Sequence, residues 1–446
     1  MLTRHPELAS LYINTWHYCH SRSQAALGPV GLACEAVASI GWSWHGPFTL
    51  VRPGRASLPL LGADDKWWDH ELRDGLRKAE WKYAAARRSD CEGLDAPAGI
   101  DRLASTVLIR SARLSSKDRH LLKSILVGSV RLQERLYKAG LKETPLCLFC
   151  GLAAATVEHC FWVCPAWSHH RLGDNVPARD QLPSLPACTK ALGIALEDPA
   201  VIRLQDTFVG AEDQILPQIM GPDSNRVIVW TDGATRLQAD CRFRRSGAGI
   251  IYANGSPLNQ SLPLPGRVQT NPRADLYAVV KCLEQDWRPL DVRTDSEYVM
   301  RGFATFGQWG QRGWSVDNGD LRHAFASLLH QRPQAHVIMP KVKGHATEKD
   351  VKKGLVLPVD KAGNEGADEL AGKAADRHRA PLALVEAANH RRAQTESIQC
   401  MFVKVLQDRL EAERRFAGHA RSDQLVHCEV EEQTNLDLLW VPADPG

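Results

Sequence analysis

The sequence predicts an α/β protein in which a mixed sheet flanked by helices follows a mostly helical region that carries a small metal module. Three observations predict it. From about residue 226, two short β-rich runs, RVIVWTD and GAGIIYA, lead into alternating helical and strand-like stretches, RADLYAVVKCLEQ, DVRTD and HVIMPKV. From about 66 to 142, the stretches KWWDHELRDGLRKAEWKYAAARR, DRLASTVLIRSARL and SKDRHLLKSILVGSVRLQERLYKAG repeat apolar residues at three and four spacing, so helices are expected there. Between 145 and 168, cysteines and a histidine share a metal-ligand spacing.

Taken in order, residues 1–144 read as a helical, locally basic region, helical stretches alternating with a loop up to about residue 60. Residues 145–168 read as a zinc-binding module and 169–224 as a proline-containing linker with short helices. Residues 225–380 read as the mixed-sheet domain, and 381–446 as a helix and an acidic tail. Within the sheet domain Leu276, Val279, Val280 and Leu283 fall on one helix face, and further helices are expected at 296–304, 319–330 and 365–378. The helix at 383–417 is expected to pack back on its own domain.

Composition bounds the function. At 446 residues the chain is long enough for two to four domains, and 44% hydrophobic with 24% charged residues is ordinary for a globular protein. The net charge of +3 permits a polyanionic partner without requiring one. Residues 71–142 are more biased, with 16 Lys and Arg against 9 Asp and Glu, a pattern suited to phosphates as well as to a solvated helix face. No apolar run approaches the roughly 18 residues of a membrane span, and MLTRHPELASLY lacks a signal-peptide core. A soluble, intracellular protein is expected, in nucleus or cytoplasm, its 12 cysteines matching a reducing compartment.

The chemistry is carried by four acids: Asp232 in VIVWTDGA, Asp275 in QTNPRADLYAVV, Asp295 in VRTDSEYV and Asp368 in GNEGADELA. Each alone reads as a solvated surface carboxylate. Together, at strand ends and helix starts, they are expected to meet at one sheet edge, where like charges repel unless cations fill the gap. Oxygen ligands without Cys or His favour Mg²⁺ or Mn²⁺, and two such ions are the usual apparatus for cutting a phosphodiester. Asp232 is expected to bridge, Asp275 and Asp295 to hold one ion, and Asp368, at a helix start, the other. His345 in VKGHA is the candidate for moving a proton.

These motifs, in this order over about 226–378, resemble type I ribonuclease H. The resemblance implies hydrolysis of the RNA strand of an RNA/DNA hybrid. It also implies minor-groove contacts from Thr270 and Asn271, and a grip on the DNA strand by a segment containing Trp309 and Trp314. Two departures stand out: the second acid is Asp275 where the family has Glu, and 346–362 carries an insertion, TEKDVKKGLVLPVDKA, rich in lysine. A catalytically silent nucleic-acid-binding or scaffold protein of the same fold is the alternative, and a structural fragment of a larger polyprotein is a third.

Cys147, Cys150, His159 and Cys164 form C-x2-C-x8-H-x4-C, the ligand set of a closed structural zinc site, with Cys160 a lesser alternative to Cys164. The module, LCLFCG then VEHCFWVCPAW, resembles the zinc-binding segment that follows the polymerase in non-LTR retrotransposon proteins. The chain thus looks like the carboxyl-terminal part of such an element, with the polymerase region as a possible partner. PVGLACEAVASIGWSWHGPFTL, near 30–50, resembles the region after the polymerase palm. GADD at 62–65 is similar to the polymerase Ala-Asp-Asp signature but lacks its preceding aromatic, and reads as a loop and helix cap, so no polymerase activity is expected.

Overall fold

The computed structural model describes residues 6–21, 28–53, 57–60, 65–209, 216–221, 226–309 and 317–420. They fall into two compact units: Met1–Asp74 with Ala200–Val385, and Gly75–Pro199 with Glu386–Gly446. The expected 1–144 region is therefore divided, and its first part is not purely helical. After helices Ala9–His20 and Gly28–Ser39, the strands Ser43–Gly46, Thr49–Val51 and Leu58–Pro59 make a small antiparallel sheet. Trp42, Leu50 and Leu58 pack there with Val37, so aromatic and β-branched residues around the tight turn at Gly46 and Pro47 prevail over a helical reading. Most of GADD lies outside the described residues, and a helix begins at Asp65.

The main sheet of the first unit holds five strands: β1 (Val227–Arg236), β2 (Arg245–Ile251), β3 (Gln260–Pro263), β4 (Leu290–Arg293) and β5 (Val337–Ile338). Their spatial order is β3-β2-β1-β4-β5, with β1–β2 and β2–β3 antiparallel and β1–β4 and β4–β5 parallel. Hairpins make the first half; crossovers through α1 (Asn271–Gln285), and through α2 (Glu297–Trp309) and α3 (Gly319–His330), make the second.

Alternation along β1 assigns its two faces. Val229 joins Ala248, Ile250, Ala278, Val279 and Phe325 in the larger core, on the side of α1 and α3. Ile228 and Trp230 point the other way and join Ile251 and Ala367 against α4 (Pro358–Arg377). On this side the approach is close enough to exclude side chains. A Cβ on Gly249 would fall 2.0 Å from the Ala367 carbonyl oxygen, and one on Gly363 would fall 2.1 Å from the Trp230 ring. Trp230 Nε1 donates to Asp360 Oδ1 (3.1 Å), which with the Arg293–Asp360 ion pair fastens the start of α4 to β1 and β4.

The same unit contains a desolvated ion network. Arg52 Nη1 lies 2.6 Å from Glu71 Oε2, and Glu71, 1% exposed, is also paired with Arg267. Arg267 reaches Asp206 at 3.2 Å. The loop just before α1 is thereby held by residues from the amino-terminal stretch and from helix Pro199–Val209.

In the second unit the expected linker is part of a packed body: Leu182, Cys188 and Leu192 are buried, and Trp162 Nε1 donates to the Lys190 carbonyl (2.9 Å). The helix Leu382–Ala420 differs from expectation in its partners. From Glu386 on it belongs to this unit, where Ile398, Met401, Phe402, Val405 and Leu406 share a core with Leu108, Leu122, Ile125, Phe161 and Trp162. The Phe161 and Phe402 rings stack at 4.0 Å, and Gln399 Nε2 donates to the carbonyls of Ser105 (2.9 Å) and Gly193 (2.8 Å). Its apolar stripe matches this core, and that match decides where it packs. Among the described residues no helix is long and apolar enough to cross a membrane.

Gly249→Ala should destabilise the first unit by at least about 2 kcal/mol, because the clash is with backbone of α4 rather than with a side chain that can swing away. Urea unfolding against wild type measures it; an unchanged midpoint would mean that α4 can lift from the sheet without loss.

Candidate functional site

Strand β1 carries Asp232 to the middle of the sheet, opposite Gly249 of β2, in a buried position. The next residue, Gly233, abuts the start of α1 so closely that a Cβ would lie 2.4 Å from the Asp275 amide nitrogen and 2.5 Å from its Oδ1. Glycine here is what lets Asp275 approach β1. The Gly233 amide donates to Asp232 Oδ1 (2.8 Å). Asp295 follows the end of β4, half-buried, and Gly344 lies against it, a Cβ there falling 2.3 Å from Asp295 Oδ2. Asp368 is exposed on α4. It is not at a helix start: α4 begins at Pro358, whose fixed φ and missing donor suit a first helical turn, so the later part of the insertion is helix.

These four charges feel one another. Burial, then Asp295, Asp275 and Asp368, push the Asp232 carboxyl up to about 8, although the Gly233 amide pulls against them. Asp275 is pushed up to about 7 by burial, with Asp295 adding to the rise and a hydrogen bond from Ser296 Oγ to Asp275 Oδ2 (2.7 Å) opposing it. Asn364 Nδ2 reaches toward Asp295 Oδ2 at 3.5 Å. Ser296 and Asn364 were not among the expected site residues. The one follows Asp295 in TDSEYV and the other precedes Asp368 in GNEGADELA, but their partners become visible only in three dimensions.

No three of these acids bring their oxygens within 4.8 Å of one another among the described residues. Repulsion between carboxylates and the hold of Ser296 on Asp275 both oppose closure. The donor set nonetheless suits a hard divalent cation: it is all carboxylate, and Asp275 Oδ1 is buried with no hydrogen-bond partner.

Of the other expected residues, Thr270 is the N-cap of α1 and Asn271 its exposed first residue. Gln269 locks this entry to the sheet, accepting from the Ser246 amide (2.7 Å) and donating to the carbonyls of Leu264 (2.9 Å) and Gly266 (2.8 Å). His345 is exposed on the loop after β5, in the left-handed region at φ 48°, directly after the glycine that abuts Asp295. Trp309 ends α2, and Trp314 lies outside the described residues.

The second unit brings Cys147, Cys150, His159 and Cys164 together, with one ligand atom from each within 4.8 Å of the rest. A tight turn supplies the first two: Gly151, at φ 65°, donates back to the Cys147 carbonyl (2.8 Å). A single π-turn, His159–Val163, supplies the others, with Thr156 Oγ1 accepting from the His159 amide (3.0 Å). Cys147 and Cys164 sulfurs are 3.8 Å apart and Cys150 Sγ is 3.3 Å from His159 Nε2. A zinc tetrahedron with bonds of about 2.3 Å to sulfur and about 2.0 Å to nitrogen has edges of about 3.8 and 3.6 Å, close to these two separations, so the donor set is compatible with zinc. Burial, then the Arg171 charge, lowers His159 from the ordinary imidazole value, which favours the neutral form over the charged one. Cys160 lies outside the cluster, its thiol pushed up to about 11 by burial.

The family model described as RNase H matches residues 224–376. Ribonuclease H of Schizosaccharomyces pombe is 31% identical over 159 residues, 34% of this chain and 54% of that protein. Ribonuclease H of Francisella tularensis subspecies novicida is 32% identical over 160 residues, 34% of this chain and 91% of that protein. Among solved structures, a foamy viral protease-reverse transcriptase in complex with dsDNA aligns at 19% identity and TM-score 0.27, over 35% of this chain and 98% of that one. The chain spans about half the length of the curated eukaryotic relatives it matches.

Asp232 and Asp275 bind protons in the folded state that they release in the unfolded state above the ordinary carboxylate value of 3.8. Their contribution to metal-free stability is therefore present below about pH 4 and is lost as pH rises toward 7 and 8. Removing the charge with Asp232→Asn should raise the melting temperature of metal-free protein by roughly 3 to 8 °C at pH 8 and by much less at pH 5. Mg²⁺, competing with the same protons, should stabilise wild type more at pH 8 than at pH 6. Thermal melts of both proteins across this range provide the measurement, and a variant gain independent of pH would contradict the assignment.

Proposed function

The chain belongs to the ribonuclease H family, and we propose that its sheet domain is a metal-dependent endonuclease that hydrolyses the RNA strand of RNA/DNA hybrids. The observation that supports this reading is that Asp232 feels the charge of Asp295, Asp275 and Asp368, and that burial, with neighbouring carboxylates, pushes Asp232 and Asp275 up toward neutral pH. Two Mg²⁺ or Mn²⁺ ions held by these four side chains would supply an activated water and charge neutralisation on the scissile phosphate. Asp232, in the field of the other three acids, would be the ligand shared by both. Ser296 fixes one oxygen of Asp275, leaving the other without a hydrogen-bond partner, and Gly344 leaves the space that Asp295 occupies. His345, exposed beside that glycine, is suited to carry a proton from the departing product to solvent. Thr270 and Asn271, at the entry to α1, are suited to contact the minor groove of the hybrid, where 2′-hydroxyls distinguish RNA from DNA. Trp309, and Trp314 beyond it, lie in the segment proposed to grip the DNA strand.

In the second unit, Cys147, Cys150, His159 and Cys164 are proposed to hold one structural Zn²⁺. All four ligand positions are filled by protein, which leaves no place for a reacting water. A Cys₃His module ahead of a ribonuclease H domain supports derivation from a non-LTR retrotransposon protein, in which a polymerase region would be the neighbour in the same element. The proposed order is then a helical, locally basic region, the zinc module, a connection and the nuclease, followed by the long carboxyl-terminal helix.

A second reading, a silent domain that binds hybrids without cutting them, is favoured by the open spacing of the acids and by the short side chain at 275. The two separate in one experiment. With a labelled RNA/DNA hybrid and Mg²⁺, wild type should release RNA fragments. Asp295→Asn should lose more than about 100-fold in rate, exceeding the effect typical of residues that only orient a ligand. An intact hybrid in Mg²⁺ and Mn²⁺ alike, with hybrid binding retained, would establish the silent reading instead. Cys164→Ser should lose the bound zinc, read by elemental analysis, and lower the melting temperature of the second unit while leaving that of the first in place.

A further inference from the structure

We propose a second transition-metal site in the second unit, formed by His169, His170 and Asp408. The first two end the turn Pro165–Arg171, which directly follows the last ligand of the Cys₃His module; the third lies on helix Leu382–Ala420, 238 residues on from His170. One ligand atom from each lies within 4.8 Å of the other two. His170 Nε2 is 2.7 Å and His169 Nε2 is 3.5 Å from the same carboxylate oxygen, Asp408 Oδ2. A tetrahedral ion with bonds of about 2.0 Å to nitrogen and oxygen separates its donors by about 3.3 Å, a value between those two distances.

The arrangement is more than a histidine–aspartate ion pair. One imidazole satisfies a carboxylate, and His170, 14% exposed, would suffice. His169 is 58% exposed and free to face water, yet its Nε2 also turns to Asp408, with the two rings 4.0 Å apart and tilted by 44°. Two imidazole nitrogens and one carboxylate oxygen thus gather at a single point, more donor atoms than a lone histidine–aspartate pair needs and enough to hold an ion.

The donors are also held before any ion arrives. Arg171 donates to the Phe161 carbonyl (2.9 Å) and to the Cys164 carbonyl (2.7 Å), which ties the His169–His170 turn to the zinc module. On the helix, Phe402 stacks on Phe161, and Arg409 donates to the Arg131 carbonyl (2.8 Å). Two imidazoles and one carboxylate select a borderline ion such as Zn²⁺, Co²⁺ or Ni²⁺ over Mg²⁺. Three protein ligands leave at least one position for water or an added oxygen ligand. Such an ion clasps the turn to the helix, and its binding does not depend on the nuclease reading.

Untagged full-length protein carrying one equivalent of zinc in the Cys₃His module, kept in excess Mg²⁺ to compete for the acidic edge, is titrated with Co²⁺ by calorimetry and visible absorption. A second equivalent is expected, with ligand-field bands but no thiolate-to-cobalt charge transfer. Asp408→Asn and His169→Ala should each weaken it at least tenfold while the first zinc equivalent stays bound, which serves as the control for folding. No second equivalent in wild type, a second equivalent unchanged in both variants, or one showing thiolate charge transfer overturns the proposal.

Discussion

Crowding of like charge at one edge of a sheet is the constraint around which the first unit is organised. Asp232 and Asp275 are both buried, and burying a carboxylate among carboxylates is unfavourable unless it keeps a proton or gains a cation. The surrounding backbone nevertheless brings the acids together. Gly233 removes the one atom that would keep α1 away from β1, Gly344 does the same beside Asp295, and Gly249 with Gly363 seats α4, with Asp368, against the sheet. Packing energy spread over the two faces of the sheet sustains a local electrostatic conflict, which is how binding sites for divalent ions are commonly kept in readiness.

The donor sets proposed for metals in the two units are of opposite kinds. Around Asp232 the donors are hard oxygens, open to solvent at Asp368. In the second unit they are sulfur and imidazole, gathered within 4.8 Å of one another, with Cys147 and Cys164 in the core that holds Phe161, Trp162 and Trp167. The first arrangement suits ions that exchange and keep water, the second an ion that stays and stiffens a small body with little core of its own.

Much of this was legible in the sequence, for reasons that differ between residues. The acids could be singled out because three of them sit in a local signal: TDGA at a strand, RADLYAVV opening an amphipathic helix, TDSEYV after a strand. The Cys₃His spacing was legible because both halves of the set are local turns. The contacts of Ser296 and Asn364 were not, since hydrogen bonds between elements leave no periodic trace. The length of α4 was misjudged because VLPVDKA looks like loop until Pro358 is recognised as a first helical residue. The small sheet at 43–59 was hidden by its brevity, two to four residues per strand. The partner of helix Leu382–Ala420 was beyond reach as well: an apolar stripe says that a face is covered, not by which core.

The ion network of Arg52, Glu71, Arg267 and Asp206 sets the limits of the sheet domain as a physical object. Arg267 stands three residues before Thr270, and its carboxylate partners come from helices at 65–87 and 199–209, both outside the 224–376 match. A polypeptide trimmed to the family boundaries would leave that guanidinium without either acid, and the entry to α1 would rest on Gln269 and its partners alone. The heritable unit defined by homology and the self-sufficient body defined by charge compensation are therefore not the same stretch of chain.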